Sequence, residues 1–492
     1  MHLSKLIQNI KVISISDISE SREIIDITAN SREVKVGSMF VAVKGFTVDG
    51  HQFITNAVNN GASAVVLEDN NDYPDEYFYN NSVAKIVVES TRKAFADLSC
   101  EFYEHPSKQL KLVGITGSNG KTTTAFFVKN LFETAGFKTG LLGTISNVFG
   151  SFIEDSQLTT PESNTLNKYL RQMVNDGITH CVMEVSSHSL VLDRVRGLDF
   201  DYGIFTNITS DHLDFHSDFD NYLEAKKIFF DNLKNNSVVI YNFDDISSDR
   251  LLSNNLSTKI SFGKNVNADY KICNITFNMD GTRFNLENNN KFKFNTKLIG
   301  EFNAYNAASV AIIGVNEKYE DEIIINAINS TPQVPGRFEV ISKAEKKVVV
   351  DYSHTADSLE KALEAIIKIV DKSRPIYTVF GCGGNRDKTK RPIMGEIADR
   401  LSDEIYVTSD NPRAENPLEI ISEILNGIKR KNPKVIENRE EAIKQAICNS
   451  EPNAVILIAG KGHEEYQLIN GIKYHFSDKE IAQKYLGVMN EN

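Results

Sequence analysis

A chain of 492 residues exceeds one ordinary domain, so two to four are expected. With 41% hydrophobic and 24% charged residues, the composition is that of a globular enzyme and excludes a fibrous or disordered chain. A formal charge of −12 argues against a broad nucleic-acid surface, and no stretch approaches the ~20 apolar residues of a membrane span.

Lys5 and Lys11 interrupt the first residues, so no signal peptide is expected there. The five cysteines are widely spaced with no C-x-x-C pair, which suits a reducing cytoplasm. Residues 1–106 read as a small α/β unit. Ser38 to Val43, Ala62 to Leu67 and Ala84 to Val88 are short apolar runs expected as strands. A helix is expected over Thr91 to Tyr103, and Pro106 ends the unit. The loops Asn30-Ser31-Arg32 and Gly45-Phe46-Thr47-Val48-Asp49-Gly50 read as turns.

Residues 107–334 are expected to form the nucleotide-binding part. Leu112-Val113-Gly114-Ile115 leads into Thr116-Gly117-Ser118-Asn119-Gly120-Lys121-Thr122-Thr123, and a helical pattern follows. Strand, glycine-rich turn and helix N-terminus together make a cradle for phosphates. Lys121 would reach the β- and γ-phosphates of ATP or GTP, and the Thr122 hydroxyl would hold Mg²⁺. One glycine is displaced: Ile115 stands where the common pattern has glycine, with Gly114 and Gly117 on either side. Further on, Cys181-Val182-Met183 is an apolar run closing on Glu184, the place for a Mg²⁺-side carboxylate in such folds. His212 and His216 are four residues apart, but no third ligand has zinc-like spacing. Lys226 and Lys227, on a helix expected from Tyr222 to Leu233, read by themselves as solvated.

Ile272 to Asn278, Thr282 to Leu286 and Lys291 to Leu298 then read as an antiparallel meander. Asn303 and Asn306 open the next helix, as caps or as residues facing a base ring. Pro332, Pro335 and Gly336 mark a boundary.

Residues 335–492 repeat one pattern four times: a buried strand (Lys347 to Val350, Ile376 to Phe380, Glu404 to Thr408, Ala454 to Ile458) running into a polar loop. In three cases a helix follows, with Pro392 and Pro417 at helix starts. This is a Rossmann-like domain, which binds ligands at the carboxyl ends of its strands. Arg386 and Arg413 can each grip a carboxylate with paired hydrogen bonds, and Asp410 and Glu464 can take an ammonium. That set suits an amino acid with several charged ends, or else structural ion pairs among its own members.

The ordered motifs resemble those of the Mur ligases over the whole chain. They are Thr-Gly-Ser-Asn-Gly-Lys-Thr at 116–122, Thr-Thr-Pro at 159–161, Met-Glu-Val-Ser-Ser-His at 183–188 and Thr-Asn-Ile-Thr-Ser-Asp-His-Leu-Asp-Phe-His at 206–216. Gly-Glu-Phe-Asn-x-x-Asn at 300–306, Pro-Gly-Arg-Phe-Glu at 335–339 and Asp-Tyr-Ser-His-Thr at 351–355 follow. The loop at 381–391, Asp-Asn-Pro-Arg at 410–413 and Gly-Lys-Gly-His-Glu at 460–464 complete the set. The displaced glycine is the form that family uses.

The resemblance implies three α/β domains: an N-terminal substrate domain, a central P-loop domain with an antiparallel section, and a C-terminal Rossmann-like domain. It implies ATP-dependent amide formation through an acyl phosphate on UDP-MurNAc-L-Ala-D-Glu, in the cytoplasm, by a monomer with no nucleic-acid or membrane partner. Gly117, Ser118, Asn119, Gly120, Lys121, Thr122 and Thr123 would hold ATP, with Asn303, Arg337 and Asp351 near adenine and ribose. Thr122, Glu184, His212 and Lys226, the last carbamylated, would surround Mg²⁺; Lys227 leaves a one-residue ambiguity. Ser31, Thr159, Thr160, Ser186 and Arg194 match positions that hold the muramoyl dipeptide. Asp410, Asn411, Pro412 and Arg413 match relatives that add meso-diaminopimelate, with Arg386, Gly460 and Glu464 completing the pocket. Meso-lanthionine offers nearly the same groups, whereas L-lysine has no distal carboxylate for Arg413. Two departures are Ala356, where proline is usual, and Leu192, where a polar residue is usual.

Overall fold

The computed structural model describes residues 1–16, 22–45, 48–68, 72–209, 213–370 and 374–488. Three large sheets follow one another along the chain. The first orders its strands as Val12–Ser16, Ala84–Val88, Ala64–Leu67, Ser38–Val41 and Asp26–Thr28, parallel except at the Val12–Ser16 edge. Its helix Thr91–Phe102 is capped by the Ser90 side chain, which accepts from the Lys93 amide.

The second sheet has eleven strands, and the strand Lys111–Thr116 that feeds the phosphate loop lies near its middle. It runs parallel to His180–Glu184 on one side and Tyr202–Phe205 on the other. Both flanking strands therefore present their carboxyl ends beside the loop, where an α/β sheet binds its ligand. The expected meander is Tyr270–Asn278, Gly281–Glu287 and Lys291–Thr296, with antiparallel pairing. It is not a separate sheet, because Tyr270 pairs in parallel with Phe262 of Thr258–Gly263 and so extends the nucleotide sheet. The buried helix Glu301–Asn316 packs across this junction.

The third sheet orders Glu339–Lys343, Lys346–Asp351, Val455–Ala459, Ile376–Phe380, Glu404–Val407 and Lys434–Val435. Helices Ala356–Ile369, Lys390–Leu401 and Pro417–Leu425 follow the first three of the four predicted strands. Pro417 is the first helical residue, as expected, but Pro392 is the third residue of its helix. Both positions fall where the amide has no helical partner to lose. Ala356 opens its helix behind a Thr355 capping box, so the missing proline leaves that helix start intact. After Val455–Ala459 the chain forms a hairpin, Tyr466–Ile469 with Ile472–His475, in place of a helix.

Beneath the strand ends, the Arg439 guanidinium lies fully buried in a double contact with Asp478, at 2.8 and 2.7 Å. It also donates to the Ala459 and Ser409 carbonyls, which lead into two of the loops described below. Removing one partner of such a pair leaves a buried charge uncompensated. Asp478→Ala is expected to cost about 3–5 kcal/mol, read as a lower urea midpoint of unfolding.

Candidate functional site

The phosphate loop is shaped by what surrounds it. Gly114 lets the Phe229 ring pack directly on the strand, since a Cβ there would come within 2.5 Å of it. Gly117 sits under Thr206, where a Cβ would meet the Thr206 hydroxyl at 1.9 Å. The displaced glycine is thus a packing requirement from the helix behind and the strand end beside the loop. The chain at 206–209 braces it: Ser118 N donates to Asn207 O (2.8 Å), the Thr206 hydroxyl to Asn119 O (2.7 Å) and Thr209 N to Ser118 Oγ (2.9 Å). Helix Lys121–Thr134 then begins, and Lys121, Thr122 and Thr123 open onto a cavity of about 540 Å³. Its positive end and backbone amides suit an anion. The Lys121 ammonium contacts the loop carbonyls of Gly117 (2.8 Å) and Ser118 (2.9 Å).

Glu184, 1% exposed, gathers the central polar cluster. Its carboxylate accepts from the hydroxyls of Thr122 (3.1 Å) and Thr144 (3.0 Å) and from the Thr144 amide (2.8 Å). Hard oxygens meet there, the donor chemistry that Mg²⁺ takes. Lys226 and Lys227 separate cleanly. Lys226, 1% exposed, donates to Gly117 O at 3.0 Å and lies over the Tyr222 ring. Lys227 pairs with Asp231 one turn along its own helix, at 2.7 and 2.8 Å. Neither is solvated, so the first reading of both as surface lysines is corrected. His212 lies outside the described residues. His216 is buried, with Nε2 at 2.9 Å from the Ser187 hydroxyl.

Across the cavity, Arg337 reaches from the C-terminal domain to donate to the Thr122 hydroxyl (3.2 Å), its guanidinium over the Tyr352 ring. Asp351 also lines the cavity and accepts from the Phe338 amide at 2.6 Å and from the Ser353 hydroxyl. Burial pushes its carboxyl above the usual carboxylate range, against the pull of Arg337. Phe262, Phe302 and Tyr305 supply aromatic surface on that side. Asn303 does not line the cavity. Its amide nitrogen donates to Ile299 O, and its oxygen accepts from Asn306, so Asn306 is the asparagine that faces the opening.

The residues expected to hold the muramoyl substrate divide. Thr159 and Ser186 line the cavity. The Thr160 hydroxyl instead donates to Glu184 O (2.8 Å) and accepts from the Ser186 amide (3.2 Å), so it ties the 159–161 turn to the strand end. Arg194 donates to Thr160 O at 3.1 Å and pairs with Glu162 at 2.6 Å, bracing the same turn from outside the cavity lining. Ser31 sits buried in the N-terminal domain and is not among the lining residues.

The four polar loops of the C-terminal sheet do converge. Asp410 and Glu464 are not free acids: the buried Lys461 ammonium lies 3.2 Å from Glu464 and 4.0 Å from Asp410. Asn411 bridges the same group, accepting from Lys461 (3.0 Å) and donating to Glu464 (2.7 Å). Burial raises the Glu464 carboxyl above its ordinary value, with Lys461 opposing. A Cβ at Gly460 would come within 2.4 Å of the Asp410 carboxylate, so only glycine permits that approach. Arg413 holds a left-handed backbone (φ +53°) and donates to Gly384 O at 2.8 Å, while Arg386 is exposed. Pro412 is buried against Gly384, its carbonyl receiving the Glu415 amide. The loop at 460–464 packs against the cavity's C-terminal side. Its His463 packs on Tyr352 (5.2 Å between centroids), and a Cβ on Gly336 would strike the His463 amide. Burial, aided by Arg337, lowers the His463 imidazole to about 3.

The sequence alone did not mark Thr144, Lys461 and His463 as site residues, and it left Asn303 and Asn306 undivided. Thr144 follows the apolar run Leu141-Leu142-Gly143, and a Cβ on Gly143 would lie 2.6 Å from Glu184, so that glycine was the available signal. Among the described residues, no group of three or more His, Cys, Asp or Glu could hold a metal by itself. No helix among them is long and apolar enough to cross a membrane.

Comparison with known proteins matches three family domains. The Mur ligase catalytic domain covers residues 23–103, the Mur ligase middle domain 115–314 and the Mur ligase, glutamate ligase domain 336–462. The UDP-N-acetylmuramoyl-L-alanyl-D-glutamate–2,6-diaminopimelate ligase 1 of Clostridium acetobutylicum is 44% identical over 491 residues, 99% of each chain. The corresponding ligase of Clostridium botulinum is 42% identical over 482 residues, 97% of this chain and 98% of its own. A solved UDP-N-acetylmuramoyl-L-alanyl-D-glutamate–2,6-diaminopimelate ligase superposes with a TM-score of 0.70 at 27% identity, covering 99% of both chains. A Thermotoga maritima MurF ligase solved with ADP shares the fold, with a TM-score of 0.64 at 22% identity over 95% of this chain and 98% of its own. Three matched domains and full-length relatives make the conclusion plain: the chain belongs to the Mur ligase family.

Proposed function

We propose that this protein is the ATP-dependent ligase that joins meso-diaminopimelate to the D-glutamyl carboxylate of UDP-MurNAc-L-Ala-D-Glu in peptidoglycan precursor synthesis. The observation that carries this is the direct contact between the two regions. The 460–464 loop carries the Lys461–Glu464 pair of the charged pocket and packs through His463 on Tyr352 of the cavity lining, so an activated acid and an amine can be held close together. The names of the full-length relatives support the same substrates.

A carboxylate is a poor acyl donor, and transfer of the ATP γ-phosphoryl group to its oxygen creates a leaving group. The amine then attacks the acyl carbon, the C–O bond to phosphate breaks, and ADP, phosphate, a proton and the amide result. Lys121 and the amides at the start of helix Lys121–Thr134 would stabilise charge developing on the transferred group, the dominant contribution in this chemistry. Thr159 and Ser186, beside the loop, would orient the acid. Arg337 and Asp351 would close over the nucleotide from the C-terminal domain, with Asn306 and the aromatic residues beside the base. Thr122, Glu184 and a carbamylated Lys226 fit Mg²⁺, which when bound neutralises phosphate charge. His212 joins that set by motif alone. Arg413 and Arg386 would grip carboxylates of the incoming diamino acid, and Asp410 and Glu464, held by the buried Lys461, would take its ammonium end.

Substrate labelled with ¹⁸O in the D-glutamyl carboxylate tests the reaction course. One label is expected in each phosphate released; unlabelled phosphate would rule out the acyl phosphate. The two adjacent lysines give a paired prediction. Lys226→Ala is expected to lower turnover on the order of 10²-fold, as loss of one charge-stabilising group does. Lys227→Ala should stay within about twofold, since its side chain pairs with Asp231 on its own helix and does not line the cavity.

A further inference from the structure

The two loops carrying Arg386 and Arg413 are interlocked from below by a buried ion pair. Arg391, in the first turn of helix Lys390–Leu401, has a side chain with no exposure. Its guanidinium donates to both oxygens of Glu415 (3.1 and 3.2 Å), to Glu423 (2.7 Å) and to the Gly383 carbonyl (3.1 Å). Glu415 in turn accepts from the Asn385 amide, one residue before Arg386. Arg391 thus holds one loop directly, through Gly383, and the other through Glu415, two residues after Arg413.

The loops are stitched together along the same line. Gly384 N donates to Asn411 O (2.9 Å), Ala414 N to the Asn385 side chain (3.1 Å) and Arg413 Nη1 to Gly384 O (2.8 Å). A Cβ on Gly384 would stand 2.0 Å from the Pro412 carbonyl, so the backbones are in direct contact. Asn385 and Arg413 both take left-handed backbone conformations (φ +51° and +53°), which non-glycine residues hold only when their surroundings enforce it.

We infer that Arg391 and Glu415 are positioning residues that fix the spacing of Arg386 and Arg413, and through it selection of the diamino acid. The inference rests on the function proposed above. Two arginines that grip carboxylates of one short molecule must keep their separation closely, because paired hydrogen bonds fail with small displacements. A buried ion pair adds little net stability over apolar packing, and its use here fits a registry role.

The test measures KM for each of the three substrates, with kcat, on Glu415→Gln and Arg391→Lys. KM for diaminopimelate is expected to rise about tenfold in both. KM for ATP and for the nucleotide-linked acid should stay within twofold, and kcat at saturating amine within about threefold. Glu415→Asp should recover part of the loss. Lys388→Gln, which removes an exposed partner of the same glutamate at 3.2 Å, should change no KM by more than twofold. An unchanged KM for diaminopimelate, or a parallel rise in all three KM values, overturns the inference. If the wild type uses a different amine, the proposed substrate is wrong, and the same comparison made with that amine still decides the positioning role.

Discussion

Lys121→Ala is expected to lower ATP-dependent phosphate release on the order of 10³-fold, with binding of the nucleotide-linked acid within about twofold. The lysine ammonium sits 2.8 and 2.9 Å from two carbonyls of its own loop, at the mouth of the cavity and beside the first helical turn. Its charge is needed most when the γ-phosphoryl group is in transit, so kcat should fall further than substrate affinity. Stopped phosphate release under saturating substrates checks this. A variant that kept more than a tenth of the wild-type rate would remove Lys121 from the chemistry.

Arg413→Ala should act on a different substrate. Truncating one partner of a desolvated charge pair costs about 2–5 kcal/mol, so kcat/KM for diaminopimelate should fall on the order of 10²-fold. KM for ATP should hold, because Arg413 contacts Gly384 and the hairpin strand, not the cavity lining. Steady-state kinetics with each substrate varied in turn separate the two variants. An equal loss of ATP and amine affinity in Arg413→Ala would mean that the residue is only structural.

Much of this site was legible in the sequence, because its chemistry sits where strands end. The strand before Gly117, the acid closing His180–Glu184 and the four loops of the last sheet follow from apolar runs meeting polar residues. What escaped was set by packing across distance. Lys461 lies between two glycines in a loop, and nothing local says that its ammonium is buried between Asp410 and Glu464. Lys226 and Lys227 are chemically identical neighbours, and only helix phase turns one to Gly117 and the other to Asp231. Asn303 and Asn306 share a motif, yet one is spent on Ile299 and the other faces the cavity. The meander read correctly as antiparallel, but its attachment to the nucleotide sheet depends on one parallel edge at Phe262 and Tyr270. Arg391 closes the 381–391 motif with no role assigned by the sequence, and its place between two loops appears only when Glu415 is brought to it.

The central claim is that the pocket selects an amine with a second carboxylate for joining to UDP-MurNAc-L-Ala-D-Glu. Phosphate release should be measured with ATP, Mg²⁺ and that nucleotide, supplying meso-diaminopimelate, meso-lanthionine or L-lysine one at a time. Diaminopimelate is expected to give the highest kcat/KM, with lanthionine next and lysine lower by at least about 10²-fold, the cost of leaving the half-buried Arg413 without its carboxylate. Release fastest with L-lysine would contradict the assignment of Arg413 and the account built on it.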